Sequence, residues 1–215
     1  QGGWEKSSWS FWEENSWIKN QPVNICAREK IPIIKSMNHD LPIIDEVERL
    51  KAQKRYTEAR TMIEWAISRY PHRYELYEEL ADVYIYEGDY VKAEKALDYA
   101  ETLESDSSTG LYLRGYMSLI RNDFQKAIES LEESNNKSPN NPEVLRNLGW
   151  AYTMTGDVKK WVILLERALT IAPDDMLIME DLGVALLTQG KIQEAREYLS
   201  RVGKESHMND MWFPV

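Results

Sequence analysis

Hydrophobic and polar positions in the middle of the chain follow a helical spacing that turn residues interrupt. Residues 145–152, LRNLGWAY, place apolar or small side chains at i, i+3, i+4 and i+7, on one face of a helix. Gly156 and Asp157 then favour a turn, because glycine tolerates positive φ and aspartate bonds nearby backbone. A second helical pattern ends before Pro173, since proline cannot continue a helix. The pattern therefore predicts a helical hairpin.

The hairpin pattern recurs with a period of 34 residues. Three sets of equivalent positions keep this phase over five copies without an insertion. Because one hairpin cannot bury its apolar side alone, the repeat predicts that neighbouring hairpins stack. The three sets are Ala59, Ala93, Ala127, Trp161 and Ala195; Lys54, Gly88, Asn122, Gly156 and Gly190; and Pro71, Ser105, Pro139, Pro173 and His207.

The segment LRNLGWAY followed by ERALTIAP resembles the tetratricopeptide repeat, whose pattern is W-x2-L-G-x2-Y with Ala, Phe and Pro at set offsets. The resemblance covers residues 40–207 and implies an all-α, right-handed superhelix of about five helix-turn-helix units. The first unit matches least, because Glu46 and Val47 stand where Leu and Gly or Ala are usual. The predicted units are 40–73, 74–107, 108–141, 142–175 and 176–207, between a Trp-rich leader at 1–39 and an apolar tail at 208–215.

Trp161 departs from the family pattern. It occupies the position where a small residue lets the two helices of a hairpin approach closely. The tryptophan must therefore spread the hairpin or point elsewhere. Two destinations are open for the ring, the core of the neighbouring repeat and a contact with a partner.

In the tetratricopeptide repeat family the first helix of each hairpin lines a concave groove through positions 2, 5, 9 and 12. The resemblance therefore implies a groove that is acidic in the second repeat, aromatic in the middle and apolar in the fifth. Such a groove predicts an extended partner peptide, apolar in its centre and basic toward one end. The alternative is that Tyr112, Tyr116 and Trp150 pack between repeats as core. The predicted groove residues are Glu78, Asp82, Tyr86, Tyr112, Tyr116, Leu119, Arg146, Asn147, Trp150, Met154, Val184 and Leu187.

The leader differs from the repeats in composition. Its aromatic residues scatter around a helix axis, so something outside the segment must cover them. Residues 31–44, IPIIKSMNHDLPII, predict extended chain, because each proline disfavours helix in the residue before it. The leader either caps the first hairpin or acts as a docking arm on a second copy or another molecule; membrane adsorption is the third option. The docking-arm residues are Trp4, Trp9, Phe11, Trp12 and Trp17.

Charge and composition exclude several functional classes. A formal net charge of -10 opposes binding to a nucleic-acid phosphate backbone. The longest apolar runs fall far short of the roughly 20 residues that span a bilayer. A lone Cys26 gives no internal disulfide and no metal-ligand cluster. We therefore expect no cofactor, no metal and no membrane span, and a cytoplasmic location, with the periplasm as the alternative because the chain starts at Gln1.

The sequence contains no phosphate-binding glycine loop and no nucleophile or metalloprotease motif, so we expect no enzyme. The predicted function is a scaffold that binds an extended peptide of a partner protein in the groove. Two alternatives remain open. One is a self-assembling scaffold whose tryptophan-rich arm docks on a neighbouring copy, and the other is a secretion or assembly chaperone for an apolar client segment.

Overall fold

The computed structural model describes residues 42–202 of the protein. This part of the chain consists of ten α-helices joined by short turns and has no β-strand, so the predicted all-α class is confirmed. The leader at 1–39 and the tail at 208–215 lie outside the described residues. The helices are α1 (Pro42–Ala52), α2 (Tyr56–Arg69), α3 (Tyr74–Glu87), α4 (Tyr90–Leu103), α5 (Ser108–Ile120), α6 (Phe124–Lys137), α7 (Pro142–Met154), α8 (Val158–Ile171), α9 (Met176–Thr188) and α10 (Ile192–Val202).

The chain divides into two compact units, Gln1–Ser105 and Asp106–Val215. Helices α1 to α4 belong to the first unit and α5 to α10 to the second. Within each unit every helix packs against the next one, and first helices of successive hairpins also touch, α1 with α3 and α5 with α7. Each unit therefore buries its apolar faces by stacking hairpins, as expected for helical repeats.

The turn inside each hairpin uses a residue with left-handed backbone. Lys54, Gly88, Asn122, Gly156 and Gly190, which are 34 residues apart, all have φ between 59° and 93°. Glycine adopts this conformation at no steric cost, and asparagine tolerates it better than lysine does. The residues of this second periodic set thus share one backbone conformation.

An aspartate follows the left-handed residue in three of these turns and caps the second helix of the hairpin. Its side chain accepts a hydrogen bond from the third backbone N–H of the helix, which has no partner inside the helix. The capping residues are Asp89 for α4, Asp123 for α6 and Asp157 for α8.

The opening helix of the first repeat forms although its sequence matches the family least. Val47 and Leu50, three positions apart on α1, are 0% and 3% exposed. The helix begins at Pro42, and proline suits a first helical position because its missing N–H would have no helical partner there. The extended conformation predicted for residues 42–44 is therefore wrong.

Trp161 lies in the core of the second unit. Its side chain is 7% exposed and packs in one apolar cluster with Leu182 and Ala185 of the next repeat. A Cβ added at Gly149 would lie 2.8 Å from Trp161 Cδ1, closer than real Cβ contacts. The absence of a side chain at Gly149 therefore makes room for the ring, and packing against the neighbouring repeat, one of the two predicted destinations, is confirmed.

Candidate protein-binding surfaces

In the first unit, one lysine lies among the carboxylates of the predicted acidic surface and forms ion pairs with them. The Lys51 ammonium on α1 pairs with Glu48 at 2.6 Å, with Glu79 at 3.2 Å and with Asp82. The Lys51 side chain is only 5% exposed. These three carboxylates around Lys51, here called the carboxylate cluster, therefore have an internal cation at their centre.

The titration of the carboxylate cluster reflects burial and charge together. Burial alone would lower the pKa of Lys51, but Asp82 and Glu79 raise it above its ordinary value. Burial raises the pKa of Glu79 to about 7, against the opposing effect of Lys51 and with a further rise from Glu48 and Asp82. Lys51 is therefore charged at neutral pH, while Glu79 exchanges its proton there.

The carboxylate oxygens of Glu48, Glu79 and Asp82 lie within 4.8 Å of one another, a spacing that a metal ion could also use. The Lys51 ammonium contacts all three. The arrangement is thus an ion-pair network around a buried cation, with Glu48 at its exposed edge, and we assign it no metal.

Tyr86 and Glu78, two further predicted residues of the first unit, differ in exposure. The Tyr86 ring is 53% exposed, stacks on Tyr56 at 5.5 Å between centroids and lies 5.8 Å from the Lys51 ammonium. Glu78 is 4% exposed and therefore offers little surface to a partner. Tyr86 and the edge of the carboxylate cluster remain as candidate contacts.

In the second unit, the predicted aromatic residues form a half-buried layer. Tyr112 and Tyr116 stack at 6.4 Å, and Trp150 meets the edge of Phe124 at 6.3 Å with an interplanar angle of 83°. All four rings pack against one buried cluster that includes Leu148. The aromatic residues thus serve the core with one side and keep part of their surface exposed.

The polar residues among these rings link neighbouring first helices. Arg146 on α7 donates to the Asp181 carboxylate on α9 at 2.5 Å. Asn147 donates its side-chain amide to the Tyr112 hydroxyl on α5 at 3.3 Å. Burial raises the pKa of Asp181, and the pairing with Arg146 opposes that rise. Both groups predicted to bind a peptide therefore already have partners inside the unit.

The remaining predicted residues of the second unit separate into core and surface. Leu119 is 1% exposed and packs in the core. The prediction that it lines the groove is therefore wrong. Met154, Val184 and Leu187 are 48%, 43% and 45% exposed. These three side chains, here called the apolar strip, are large hydrophobic groups on α7 and α9 that the second unit leaves in contact with solvent.

Three residues of these surfaces were not predicted from the sequence, namely Lys51, Asp181 and Phe124. Lys51 occupies position 12 of the first repeat, one of the four groove positions, so applying the same rule to residues 40–73 identifies it. Asp181 sits beside a groove position and Phe124 on a second helix, and neither follows the positional rule. The docking-arm residues of the leader lie outside the described part of the chain.

Stacked helical hairpins with side chains presented from their first helices define an α-helical repeat protein. Two tetratricopeptide repeat models match the sequence, one at 44–108, 78–142 and 161–205 and the other at 142–175. The chain belongs to the tetratricopeptide repeat family. Proteins of this fold act in general as protein–protein interaction scaffolds.

Solved structures share the fold at low sequence identity. PilF of Pseudomonas aeruginosa aligns with a TM-score of 0.65 and 16% identity over 78% of this chain and 77% of that chain. A thermophilic repeat protein of Thermus thermophilus aligns with a TM-score of 0.65 and 20% identity over 78% of this chain and 92% of that chain. MamA of Desulfovibrio magneticus RS-1 aligns with a TM-score of 0.57 and 18% identity over 77% of this chain and 96% of that chain. No curated protein sequence is significantly similar to the chain. At these identities the likeness concerns the fold alone.

None of the helices between residues 42 and 202 combines the length and the apolar character that crossing a bilayer requires.

Proposed function

We propose that the protein is a non-catalytic scaffold whose second unit binds an extended, largely apolar peptide of a partner protein. The apolar strip of Met154, Val184 and Leu187 is the observation that carries this proposal. Each of these side chains keeps more than two fifths of its surface exposed, on the first helices of adjacent hairpins. Burying such groups under a peptide releases about 25 cal/mol for each Å² of apolar surface.

The polar neighbours of the strip favour an apolar partner. Because Arg146 is paired with Asp181 and Asn147 with Tyr112, neither needs a ligand to satisfy it. Leu177, 56% exposed near the start of α9, extends the apolar surface. Tyr116 and Trp150 add half-buried rings, a residue type that often dominates binding energy.

The surface of the first unit leads us to propose that the partner also carries basic residues. There the carboxylate cluster has three acidic groups around one ammonium, and the exposed ring of Tyr86 lies close to it. Excess negative charge and an aromatic face both attract lysine or arginine side chains.

The test is selection of randomised dodecapeptides displayed on phage, with the full chain as bait. We expect enriched peptides to be rich in aliphatic or aromatic residues. Affinity of a selected peptide, measured by fluorescence anisotropy, is expected to fall about tenfold or more in the double variant Val184→Ser, Leu187→Ser. Because both side chains are exposed, this variant keeps the fold, which circular dichroism verifies.

Val91→Ser provides the matched control, since Val91 is 67% exposed but lies in the first unit. Unchanged affinity in this control and loss in the double variant support the proposal. Equal affinity for wild type and double variant would show that the apolar strip is not the binding surface. Light scattering on the same samples tests self-association, because a mass that falls in the double variant assigns the strip to a second copy instead.

A further inference from the structure

The last described hairpin, α9 with α10, leaves apolar side chains uncovered at its end. Elsewhere the twelfth position of the repeat contacts the first helix of the next hairpin. Lys51 pairs there with Asp82 on α3. Leu119 packs there in one cluster with Leu148 of α7. Leu187 holds the same position on α9 and is 45% exposed, since the described part of the chain contains no further first helix.

The second helix of this hairpin contributes to the same uncovered surface. In the preceding interface, Ile178 of α9 packs in one apolar cluster with Leu165 of α8. The residue 34 positions after Leu165 is Leu199 on α10, which is half-buried. Val184 lies one turn before Leu187 on α9 and is 43% exposed. We call the surface of Val184, Leu187 and Leu199 the end face.

The residues that cap the first helices follow the 34-residue period. Ser107, Asn141 and Asp175 accept hydrogen bonds from backbone N–H groups at the start of α5, α7 and α9. The next position of this series is Asn209, and asparagine is among the preferred N-cap residues. Because the period is unchanged, the connection from α10 has the length that joins α8 to α9. Residues 209–215, NDMWFPV, therefore begin where a sixth first helix would begin.

Two large rings in this segment fall on positions that are buried in other repeats. The third and fourth residues after the cap are at most 2% exposed in α3, α7 and α9. These residues are Leu76, Tyr77, Val144, Leu145, Ile178 and Met179. Trp212 and Phe213 hold the same positions after Asn209. Pro214 follows them and interrupts a helix, so the segment would supply two rings rather than a whole first helix.

Charge argues against a second copy stacking its first hairpin on the end face. Position five of one repeat contacts position six of the next, as in the pair of Arg146 and Asp181. Stacking α1 of another copy on α9 would therefore place Asp45 beside Glu180, and like charges repel. The tail holds the uncharged Val215 at position six. It is also tethered to α10, which raises its effective concentration at the end face.

We infer that Trp212 and Phe213 cover the end face of their own chain. Trp212 would pack on Leu199 as Ile178 packs on Leu165, and the two rings together would shield Leu187 from solvent. Because Leu187 also belongs to the apolar strip, the docked tail would compete with the partner peptide. This competition rests on the proposed function, whereas the docking of the tail does not.

Methyl NMR of the full chain, labelled at Leu and Val, tests the docking by comparison with a chain that lacks residues 208–215. We expect the deletion to change the chemical shifts of Val184, Leu187 and Leu199, because aromatic rings shift the resonances of methyl groups beside them. Val91, which is 67% exposed in the first unit, should keep its shifts. Circular dichroism verifies that the shortened chain keeps its helices.

Substitutions in the tail separate the two rings from the rest of the segment. The double variant Trp212→Ser, Phe213→Ser is expected to reproduce the shifts of the deletion. Met211→Ser is the matched control and is expected to leave the shifts of the full chain unchanged. Met211 is the second residue after the cap, a position at which Leu177 on α9 is 56% exposed.

Two results would overturn the inference. Unchanged shifts of Leu187 and Leu199 on deletion would show that the tail does not dock on the end face. Differences between the full and the shortened chain that disappear on dilution would assign the end face to the tail of a second copy.

The competition is tested with a peptide from the display experiment. We expect it to bind about fivefold more tightly to the shortened chain, as for a cover that occupies the site about four fifths of the time. Equal affinity together with the shift changes would reject the competition and retain the docking. Shift changes together with failure to select any peptide would retain the docking and reject the proposed function.

Discussion

The first helices of the two units present opposite chemistry from equivalent repeat positions. In the first unit, α1 and α3 enclose a lysine among three carboxylates. In the second unit, α7 and α9 expose the apolar strip and pair Arg146 with Asp181. Stacking uses the residues between the helices of successive hairpins, so the outward positions are free to vary. A constant repeat length therefore fixes the fold but leaves each unit its own binding chemistry.

The units also differ in the residue at the eighth position of the repeat, on the first helix of each hairpin. The eighth position of the repeat holds Val47 and Ala81 in the first unit, both fully buried. In the second unit this position holds Gly115, Gly149 and Gly183, where an added Cβ would lie 2.5–2.8 Å from a side-chain carbon of the paired helix. The second unit thus depends on glycine for its packing.

Removing the central cation of the first unit is expected to have the largest effect. Lys51→Met leaves three carboxylates close together without a counter-ion, so we expect a loss of about 3–5 kcal/mol in the free energy of unfolding at pH 7. The loss should be smaller at pH 5, because Glu79, whose pKa is already about 7, is then protonated. Urea unfolding at both pH values measures the effect.

Lys126→Met in the second unit is the control for charge removal, since Lys126 is 73% exposed and pairs across the surface with Asp123. Its effect is expected to stay below about 1 kcal/mol. A Lys51→Met protein as stable as the control at pH 7 would show that the carboxylate cluster is solvated rather than buried.

The contact between Gly149 and Trp161 should give the second-largest effect. Gly149→Ala is expected to destabilise the protein by about 1–3 kcal/mol, because the added methyl group collides with the indole ring. In a Trp161→Ala background the same change should instead be neutral or stabilise by up to about 1 kcal/mol, since alanine favours helix over glycine.

In a double-mutant cycle over these two residues, the geometry therefore predicts the sign of the interaction energy. Gly149→Ala should destabilise with Trp161 present and cease to do so without it, measured as urea midpoints of all four proteins. An equal penalty in both backgrounds would place the cause in the backbone of α7 rather than in the ring.

Much of the fold could be predicted from the sequence because it depends on local rules. The 34-residue period predicts hairpins, and the turn set of Lys54 and Gly88 marks backbone with positive φ in every hairpin. The destination of Trp161 could not be decided between core and partner, because the choice depends on the space left by Gly149, twelve residues away. Packing between two helices is a tertiary property, and it cannot be predicted from the period of the sequence.

The candidate surfaces were predicted less completely than the fold. Positions 9 and 12 of the repeat point outward as a set, but Leu119 at position 12 is buried whereas Leu187 at the same position is exposed. Exposure depends on what the next hairpin places over each residue. The acidic surface of the second repeat was predicted from its own residues, while Lys51, its neutralising partner, comes from the repeat before it.

A second buried carboxylate makes the stability of the first unit pH-dependent, with a smaller expected effect. The Glu64 side chain on α2 is 13% exposed and lies 3.6 Å from Arg60, which also pairs with Glu87 at 3.2 Å. Burial raises the pKa of Glu64 to about 7; Arg60 opposes this rise and Glu87 adds to it. Between the ordinary carboxyl pKa and pH 7, the folded state therefore holds a proton that the unfolded state has lost.

The free energy of unfolding should fall as pH rises through this window, because the folded state binds more protons than the unfolded state. Glu64→Gln removes the titration, so we expect the variant to match wild type at pH 5 and to exceed it by about 1–2 kcal/mol at pH 8. Glu58→Gln should instead give a difference from wild type that stays constant between pH 5 and pH 8, since the hydrogen bond from Arg55 lowers the pKa of Glu58 and keeps its titration below this range. Urea unfolding across this pH range would reject the assignment if the Glu64→Gln difference did not grow with pH.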